Sequence, residues 1–304
     1  MLMIQKRLTY FILTSFSFIL GCTLTLFFLH TTTLKPIASP IDVSKIKLLV
    51  LILSAVKNQI RRDAIRETWA QAYGDVKILF VLSKDQYLNA EKLIHSDILE
   101  VNIPDEYRLL SHKLLESFNS VRNIDFDYLL KCDDDTFVDV TKVINELETA
   151  PKNKFYWGYF DGNAHIKRAG KWKETEWILC DKYLPYALGG GYVLSKDLII
   201  YMVNNKDYLS FFISEDVSVG VWLAPLNITR KHDRRFDTEF RSRGCCNDYL
   251  VTHKRSPQVM KLYWSHIIET GKMCNEEYKD ISSYEYNWTV MPSKCCVKNA
   301  LLCP

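Results

Sequence analysis

The chain opens with its longest uncharged apolar stretch, "LTYFILTSFSFILGCTLTLFFL", running from Leu8 to Leu29. At about 20 residues, this is the length at which a helix crosses a bilayer. Lys6 and Arg7 precede it. Because positive charge stays on the cytosolic face, the pattern predicts a cytosolic tail over 1–7, a transmembrane signal anchor over 8–29 and a lumenal remainder. A cleaved signal peptide is the competing reading, but its apolar region is shorter and ends in an A-x-A-like site, which is lacking here. "HTTTLKPIASPIDVS" follows without any apolar period and reads as a Thr/Ser/Pro stem reaching to residue 45.

Beyond the stem the pattern alternates. "IKLLVLILSA" is a continuous apolar run of strand length, suited to a strand buried on both faces of a mostly parallel sheet. "RRDAIRETWAQAY" reads as a helix, with Ile65 and Trp69 at i and i+4 on one face. "VKILFVLS", "ILEVNI" and "FDYLLKCDDD" read as further strands, separated by helical "QYLNAEKLIHS" and "LLSHKLLESFNSVRN". The order β-α-β-α-β-α-β predicts an α/β fold over residues 46–304, with a mostly parallel sheet and flanking crossover helices. No repeat of solenoid period is visible.

Composition narrows the class. With 304 residues, 48% hydrophobic and 25% charged, the chain can bury a sizeable core. Net charge is only +3, and the segment from Arg230 to Gly244 carries six Lys/Arg against three acids, so the excess is local. The near-neutral remainder excludes a general nucleic-acid binder. Of nine cysteines, Cys22 lies in the apolar stretch and Cys132, beside an acidic triplet, is expected to be buried. Cys180 stands apart, and Cys245, Cys246, Cys274, Cys295, Cys296 and Cys303 crowd the C-terminal end, which suits disulfides stapling a loop-rich region in an oxidising compartment. Zinc is the weaker reading, since no CxxC pair exists. Two N-glycosylation sequons, at Asn227 and Asn287, agree with a secretory lumen.

Four short constellations carry candidate chemistry. Asp133, Asp134 and Asp135 end the fourth strand, where ligands bind in such sheets; three uncompensated charges there are costly unless a cation or a polyphosphate complex uses them. Hard oxygen ligands point to Mg²⁺ or Mn²⁺, and a solvated acidic turn is the plain alternative. A D-x-D-x-[TV] phosphatase nucleophile fails on spacing, because Phe137 occupies the fifth position. Gly189, Gly190 and Gly191 precede the strand-like "YVLS" and either let a backbone approach a ligand or form an ordinary turn or bulge. Glu215 and Asp216 follow Ser214, a good N-cap. Helical neighbours point about 100° apart, so one carboxylate can face a cleft while the other is tied into structure, or both simply favour the helix N-terminus. His253 in "DYLVTHKRSP" is a structural or surface histidine, or a metal ligand beside an Asp and phosphate oxygens.

Taken together, "RRDAIRETW", "KCDDDTFVDV", "YALGGGYVLS" and "SEDVSVG", spread over residues 48–256, resemble the β-1,3-glycosyltransferases of the galactosyltransferase family. "GKWKETEWILCDKYLPYALGGGYVLS", "HDRRFDTEFRSRGC", "YLVTHKRSP" and "NWTVMPSKCC" draw the resemblance toward members that build the linker joining glycosaminoglycans to proteoglycan serines. The resemblance implies a GT-A fold, an inverting reaction, a UDP-galactose donor, Mn²⁺, and an acceptor ending in galactose β-1,4-linked to xylose on a proteoglycan core protein. It also implies a Golgi type II membrane protein. By position, it implies Asp135 as the direct metal ligand, with Asp133 and Asp134 holding metal-bound water and the ribose, and His253 as the second protein ligand. Asp216 matches the catalytic base, and Arg62 and Arg66 would contact the uridine and diphosphate. Gly190 would border the donor sugar, with Gly191 and Glu215 on the acceptor side. On this reading, Mn²⁺ and the UDP diphosphate complete the charge balance of the triplet. The basic segment at Arg230 to Arg243 has two readings: attraction of acidic core-protein flanks or a phosphorylated xylose, or pairing with Asp233, Asp237 and Glu239 to hold the fold. A sister β-1,3-transferase with another acceptor or a UDP-N-acetylglucosamine donor shares every catalytic motif, and a sugar-binding partner without activity is the non-enzyme alternative.

Overall fold

The computed structural model describes residues 45–71, 74–298 and 303–304, together with Leu20 and Thr23. Apart from those two residues, the expected anchor at 8–29 lies outside the described residues, as does the stem up to residue 44. Among the described residues no helix is long and apolar enough to cross a membrane.

Residues 45–304 form one compact unit. Strands β1 (Ile46–Leu53), β2 (Val76–Ser83), β3 (Ile98–Val101) and β4 (Phe126–Asp133) are the four that the apolar pattern predicts, and helices α1 (Gln59–Arg66), α2 (Leu88–Ile94) and α3 (Leu110–Val121) connect them. They pair in parallel in the order β3-β2-β1-β4. The unbroken apolar run of β1 has a direct cause. Leu48, Val50 and Ile52 pack with Ile65, Trp69 and Phe80 on one face, while Leu49, Leu51 and Leu53 pack with Leu114 and Phe118 on the other. A strand covered on both sides shows no alternation.

The chain continues through β5 (Phe137–Val138), α4 (Val140–Leu147), β6 (Phe155–Asp161), β7 (Tyr186–Ser195), α5 (Lys196–Asn204), α6 (Glu215–Leu223), β8 (Thr229–His232), β9 (Phe236–Asp237), β10 (Gly244–Cys245), β11 (Val251–Thr252), α7 (Pro257–Thr270) and β12 (Tyr278–Lys279). Strands β7, β6 and β8 extend the sheet to seven strands in the order β3-β2-β1-β4-β7-β6-β8. β7 runs antiparallel to both β4 and β6, so the sheet is mixed. An antiparallel neighbour brings its own beginning to the end of β4, and here Gly191 pairs with Cys132. A small sheet, β5-β11-β9, carries the segment before His253 to the same place, with Thr252 opposite Phe137.

Two local expectations change. The first helix ends at Arg66 instead of reaching residue 73, and Trp69 enters the core fully buried from the turns that follow. The three glycines do not precede a strand; β7 runs through them. The C-terminal cysteines pair as Cys245–Cys274, Cys246–Cys303 and Cys295–Cys296, which removes them as zinc ligands, while Cys132 is free and buried and Cys180 free and exposed.

Candidate active site

Each carboxylate of the triplet has its own cation, delivered by a different segment. Asp133 Oδ1 lies 2.9 Å from Lys131 Nζ on β4. Asp134, which is buried, accepts from Arg61 at 2.7 Å and from Ser54 Oγ and Asn58 Nδ2, both at 2.8 Å. Asp135 Oδ2 lies 3.1 Å from Lys254 Nζ. The expectation that the triplet waits for a metal and a diphosphate to balance its charge is met in part: the protein supplies three cations of its own, one of which, Lys131, is shared with Glu215. Asp134 is taken up by the loop after β1 and by α1, and it does not join the other two in facing His253.

His253 stands between Asp133 and Asp135. Its Nε2 lies 2.8 Å from Asp135 Oδ1 and 3.4 Å from Asp133 Oδ2, yet neither ring nitrogen makes an aligned hydrogen bond although both are buried. Burial would lower the imidazole's proton affinity, but the two carboxylates outweigh it and raise its pKa to about 9. One ligand atom from each of the three residues lies within 4.8 Å of the others. Two carboxylates converging on an imidazole whose ring nitrogens make no aligned hydrogen bond form a donor set that fits a divalent cation such as Mn²⁺.

The three glycines are required by close approach and not by backbone conformation. A Cβ on Gly189 would come 2.8 Å from Glu215 Oε1 and 3.0 Å from Asp216 Oδ2; on Gly190, 2.7 Å from the His253 ring; on Gly191, 2.7 Å from Val251 Cγ1. Side chains there would push apart the groups that the site assembles. The Glu215–Asp216 pair divides as helical geometry requires. Glu215 is buried and its Oε1 lies 2.5 Å from Lys131 Nζ, whereas half-buried Asp216 accepts the Gly189 N–H and the Val217 N–H, both at 2.8 Å. Ser214 sits at the N-cap but its side chain makes no capping bond; Asp216 instead takes up the Val217 N–H at the helix start. Burial and the neighbouring Glu215 charge push the Asp216 pKa up to about 7, against the pull of Lys131 and the two N–H groups.

Two compartments meet at these residues. One, of about 1210 Å³, opens at the carboxyl ends of β1 to β4 and is lined by Ser54, Asn58, Arg61, Asp85, Asn102 and the whole triplet. The other, of about 500 Å³, is lined by Gly189, Gly190, Glu215, Asp216 and His253 together with Trp172, Tyr183 and Phe240. Tyr107, Leu110, Asp133, Lys171 and Lys254 border both, so the cluster that fits a cation lies at the junction and Asp216 faces the smaller space only.

Arg62 and Arg66 are not in either compartment. The Arg62 side chain is fully buried and grips Glu91 through two bonds of 2.8 and 2.6 Å, with a third to the Ala55 carbonyl, while Arg66 is tied to Asp63, Glu91 and Asp97. Their expected contact with a nucleotide is corrected: α1 turns Arg61, and not its neighbours, toward the cleft. The basic segment also resolves into pairs. Arg235 meets Glu146 and Asp233, Arg243 meets Asp237 and Glu239, Arg234 meets Glu285, and Arg230 donates to the Leu223 carbonyl. Asn227 and Asn287 are both exposed.

Sequence reasoning missed Lys131, Lys254 and Arg61. Lys131 carried a signal, a lysine inside an otherwise buried apolar strand, where a charge requires partners. Lys254 carried none; it adopts a left-handed φ of 61°, a sparse conformation for a non-glycine residue, which the loop after β11 imposes.

The sequence profile of the family described as Galactosyltransferase matches residues 60–234. Beta-1,3-galactosyltransferase 6 of Mus musculus is 41% identical over 270 residues, covering 83% of this chain and 83% of its own. UDP-GalNAc:beta-1,3-N-acetylgalactosaminyltransferase 2 of Danio rerio is 34% identical over 194 residues, covering 63% of this chain and 39% of its own. Hydroxyproline O-galactosyltransferase GALT2 of Arabidopsis thaliana is 30% identical over 254 residues, covering 78% and 37%. This chain thus spans most of the mouse relative and well under half of the other two.

Proposed function

The chain belongs to the galactosyltransferase family, and on that premise we propose that it transfers galactose from UDP-galactose, with inversion, to the 3-hydroxyl of the galactose in a galactosyl-β-1,4-xylose linker on proteoglycan core proteins. The observation that carries the reading is the division of the cleft. A metal-type cluster of Asp133, Asp135 and His253 stands at the junction, and Asp216, a carboxylate with a pKa near 7, faces only the smaller compartment. A donor with a diphosphate suits the larger space and a sugar acceptor the smaller.

Asp133, Asp135 and His253 would hold Mn²⁺. When bound, the ion supplies Lewis-acid charge to the departing diphosphate. Asp216 accepts the proton of the acceptor hydroxyl as its oxygen attacks C1 of galactose; the new C–O bond forms as the bond to the diphosphate breaks. Its acidity suits this task, because a general base works best with a pKa near the operating pH. The Gly189 N–H fixes one Asp216 oxygen in place. Arg61 and Lys254 add positive charge on the donor side. The sister reading, another acceptor or an N-acetylhexosamine donor, keeps the same chemistry; it draws on the 34% identity to the N-acetylgalactosaminyltransferase.

The test is transfer by the full chain in detergent, from labelled UDP-galactose to a galactosyl-β-1,4-xyloside, with Mn²⁺ or with EDTA, beside Asp216→Asn. Metal-dependent product, reduced roughly 10²- to 10⁴-fold in the variant with UDP binding unchanged, is expected. Equal activity in the variant would remove Asp216 from the base role, and product only with a different sugar nucleotide would favour the sister reading. Residues 8–29 would anchor the protein in the Golgi membrane with Asn227 and Asn287 glycosylated in the lumen. Glycosidase digestion that left the mobility unchanged would contradict that topology.

A further inference from the structure

Lys131 is a fully enclosed charge beside the metal-type cluster, and that reading of the cluster does not use it. Its side chain is fully buried, and its Nζ contacts groups on three elements: Asp133 Oδ1 on β4 at 2.9 Å, the Gly189 carbonyl on β7 at 2.6 Å and Glu215 Oε1 on α6 at 2.5 Å. Glu215 is equally enclosed, with a side chain only 6% exposed, and Lys131 is its one ion-pair partner among the described residues. Neither group is placed to react. Lys131 is absent from the lining of both compartments, and Glu215 has its Oε1 occupied.

A buried ion pair costs desolvation that its attraction barely offsets, so stability alone does not account for this one. What this pair specifies is visible in its neighbour. Asp216 follows Glu215 on α6, and the Gly189 residue that donates its N–H to Asp216 offers its carbonyl to Lys131. One ammonium group therefore ties together the glycine whose N–H aims the base, the carboxylate beside that base and a carboxylate of the metal-type cluster. The absence of a Cβ at Gly189 is what admits the approach, since one would press on Glu215 and Asp216 together.

Resting on the reading of Asp216 as the base, we propose that Lys131 and Glu215 are an opposed pair of positioning residues that aim Asp216 and set the pH at which it works. The Glu215 charge favours the protonated, inactive base and the Lys131 charge favours the ionised, active one. The phenols around Asp216 are Tyr156 from β6, Tyr186 and Tyr192 from β7, and Tyr107 and Tyr183 from flanking segments; burial holds all five above their ordinary range, so they stay uncharged while Asp216 titrates. Charged side chains also line the compartment, Asp133, Asp161, Glu239, His253, Lys171 and Lys254 among them, but Glu215 and Lys131 are the two that act most strongly on Asp216.

The test compares pH profiles of kcat for the full chain at saturating UDP-galactose, acceptor and Mn²⁺, in wild type, Glu215→Gln, Lys131→Met and the double variant. Glu215→Gln keeps volume and the hydrogen bond to Lys131, and should move the acid limb to lower pH. Lys131→Met should move it to higher pH, each by roughly one unit, the scale of one nearby charge. The double variant should return the limb toward wild type, which a purely structural role would not produce. Should Lys131→Met fail to fold, Glu215→Gln and the double variant still decide the matter. An unmoved limb in Glu215→Gln, or displacement of both single variants in one direction, overturns the proposal. Asp216→Asn separates the two layers of the argument: a limb that persists there overturns the base assignment, and this inference with it. A limb lost there but unmoved in Glu215→Gln overturns the inference alone.

Discussion

Asp216 carries opposite consequences for activity and for stability. As the proposed base it works only when ionised, so transfer should rise with pH through about 7, the value to which burial and Glu215 push it. For folding the sign reverses. A carboxyl whose pKa is higher in the folded chain than its ordinary value of 3.8 favours the folded state at low pH, and that contribution is lost as pH rises through about 7. Asp216→Asn should therefore abolish most activity yet melt no lower than wild type at pH 8, a trade often met at active sites. Thermal melts at pH 5 and pH 8 check this, and a variant less stable at pH 8 than at pH 5, relative to wild type, would contradict it. Gly190→Ala makes the complementary point. Its Cβ would lie 2.7 Å from the His253 ring, so the imidazole must shift, and the Mn²⁺ concentration for half-maximal activity should rise roughly tenfold or more.

Adjacent arginines on α1 separate structure from binding. Arg62 is fully buried against Glu91, and replacing it by Met leaves a buried carboxylate with Arg66 as its remaining ion-pair partner; a loss of about 3–5 kcal/mol in urea melts is expected, with UDP affinity of the folded fraction unchanged. Arg61 is 41% exposed, bridges Asp134 and Asp135 and lines the larger compartment, so Arg61→Met should weaken UDP binding by roughly tenfold in calorimetry, an effect that Arg62→Met should not produce. A reversal of these two effects would return the nucleotide contact to Arg62. The same logic applies to β7. Its antiparallel pairing with β4 is what sets Gly189 to Gly191 beside Asp133, and no amount of propensity in "YALGGGYVLS" specifies which strand lies next to it.

Across the molecule, long-range disulfides staple the C-terminal region to itself. Cys245–Cys274 and Cys246–Cys303 close loops of 29 and 57 residues, and Cys246→Ser with Cys303→Ser should lower stability by about 2–4 kcal/mol by freeing the unfolded chain. The formerly conspicuous basic segment behaves as a second link. Hydrogen bonding to Arg235, from the loop after β8, holds the Glu146 carboxyl on α4 down to about 2. A carboxylate depressed in this way stabilises the fold above its ordinary 4.5, and that contribution is lost as pH falls toward 2. Arg235→Gln should therefore flatten the decline in melting temperature between pH 5 and pH 2. An unchanged acid profile would show that the pair contributes nothing.

The sequence by itself determined the four parallel strands and their connecting helices, because a run such as "KLLVLIL" has no stable place except between two apolar layers, and it marked Asp133, Asp135, His253 and Asp216 because charge and imidazole in fixed motifs survive reading in one dimension. It also separated Glu215 from Asp216, since neighbours on a helix cannot share a direction. Only the tertiary structure decided which arginine faces the cleft, which three cations pair with the triplet and why three glycines stand in a row. Arg61, Lys131 and Lys254 lie on α1, on β4 and after β11, and their convergence depends on strand order and approach distances of under 4 Å. For Arg61 and Lys254 those quantities are set by packing between segments 73 and 119 residues apart, to which local periodicity carries no reference.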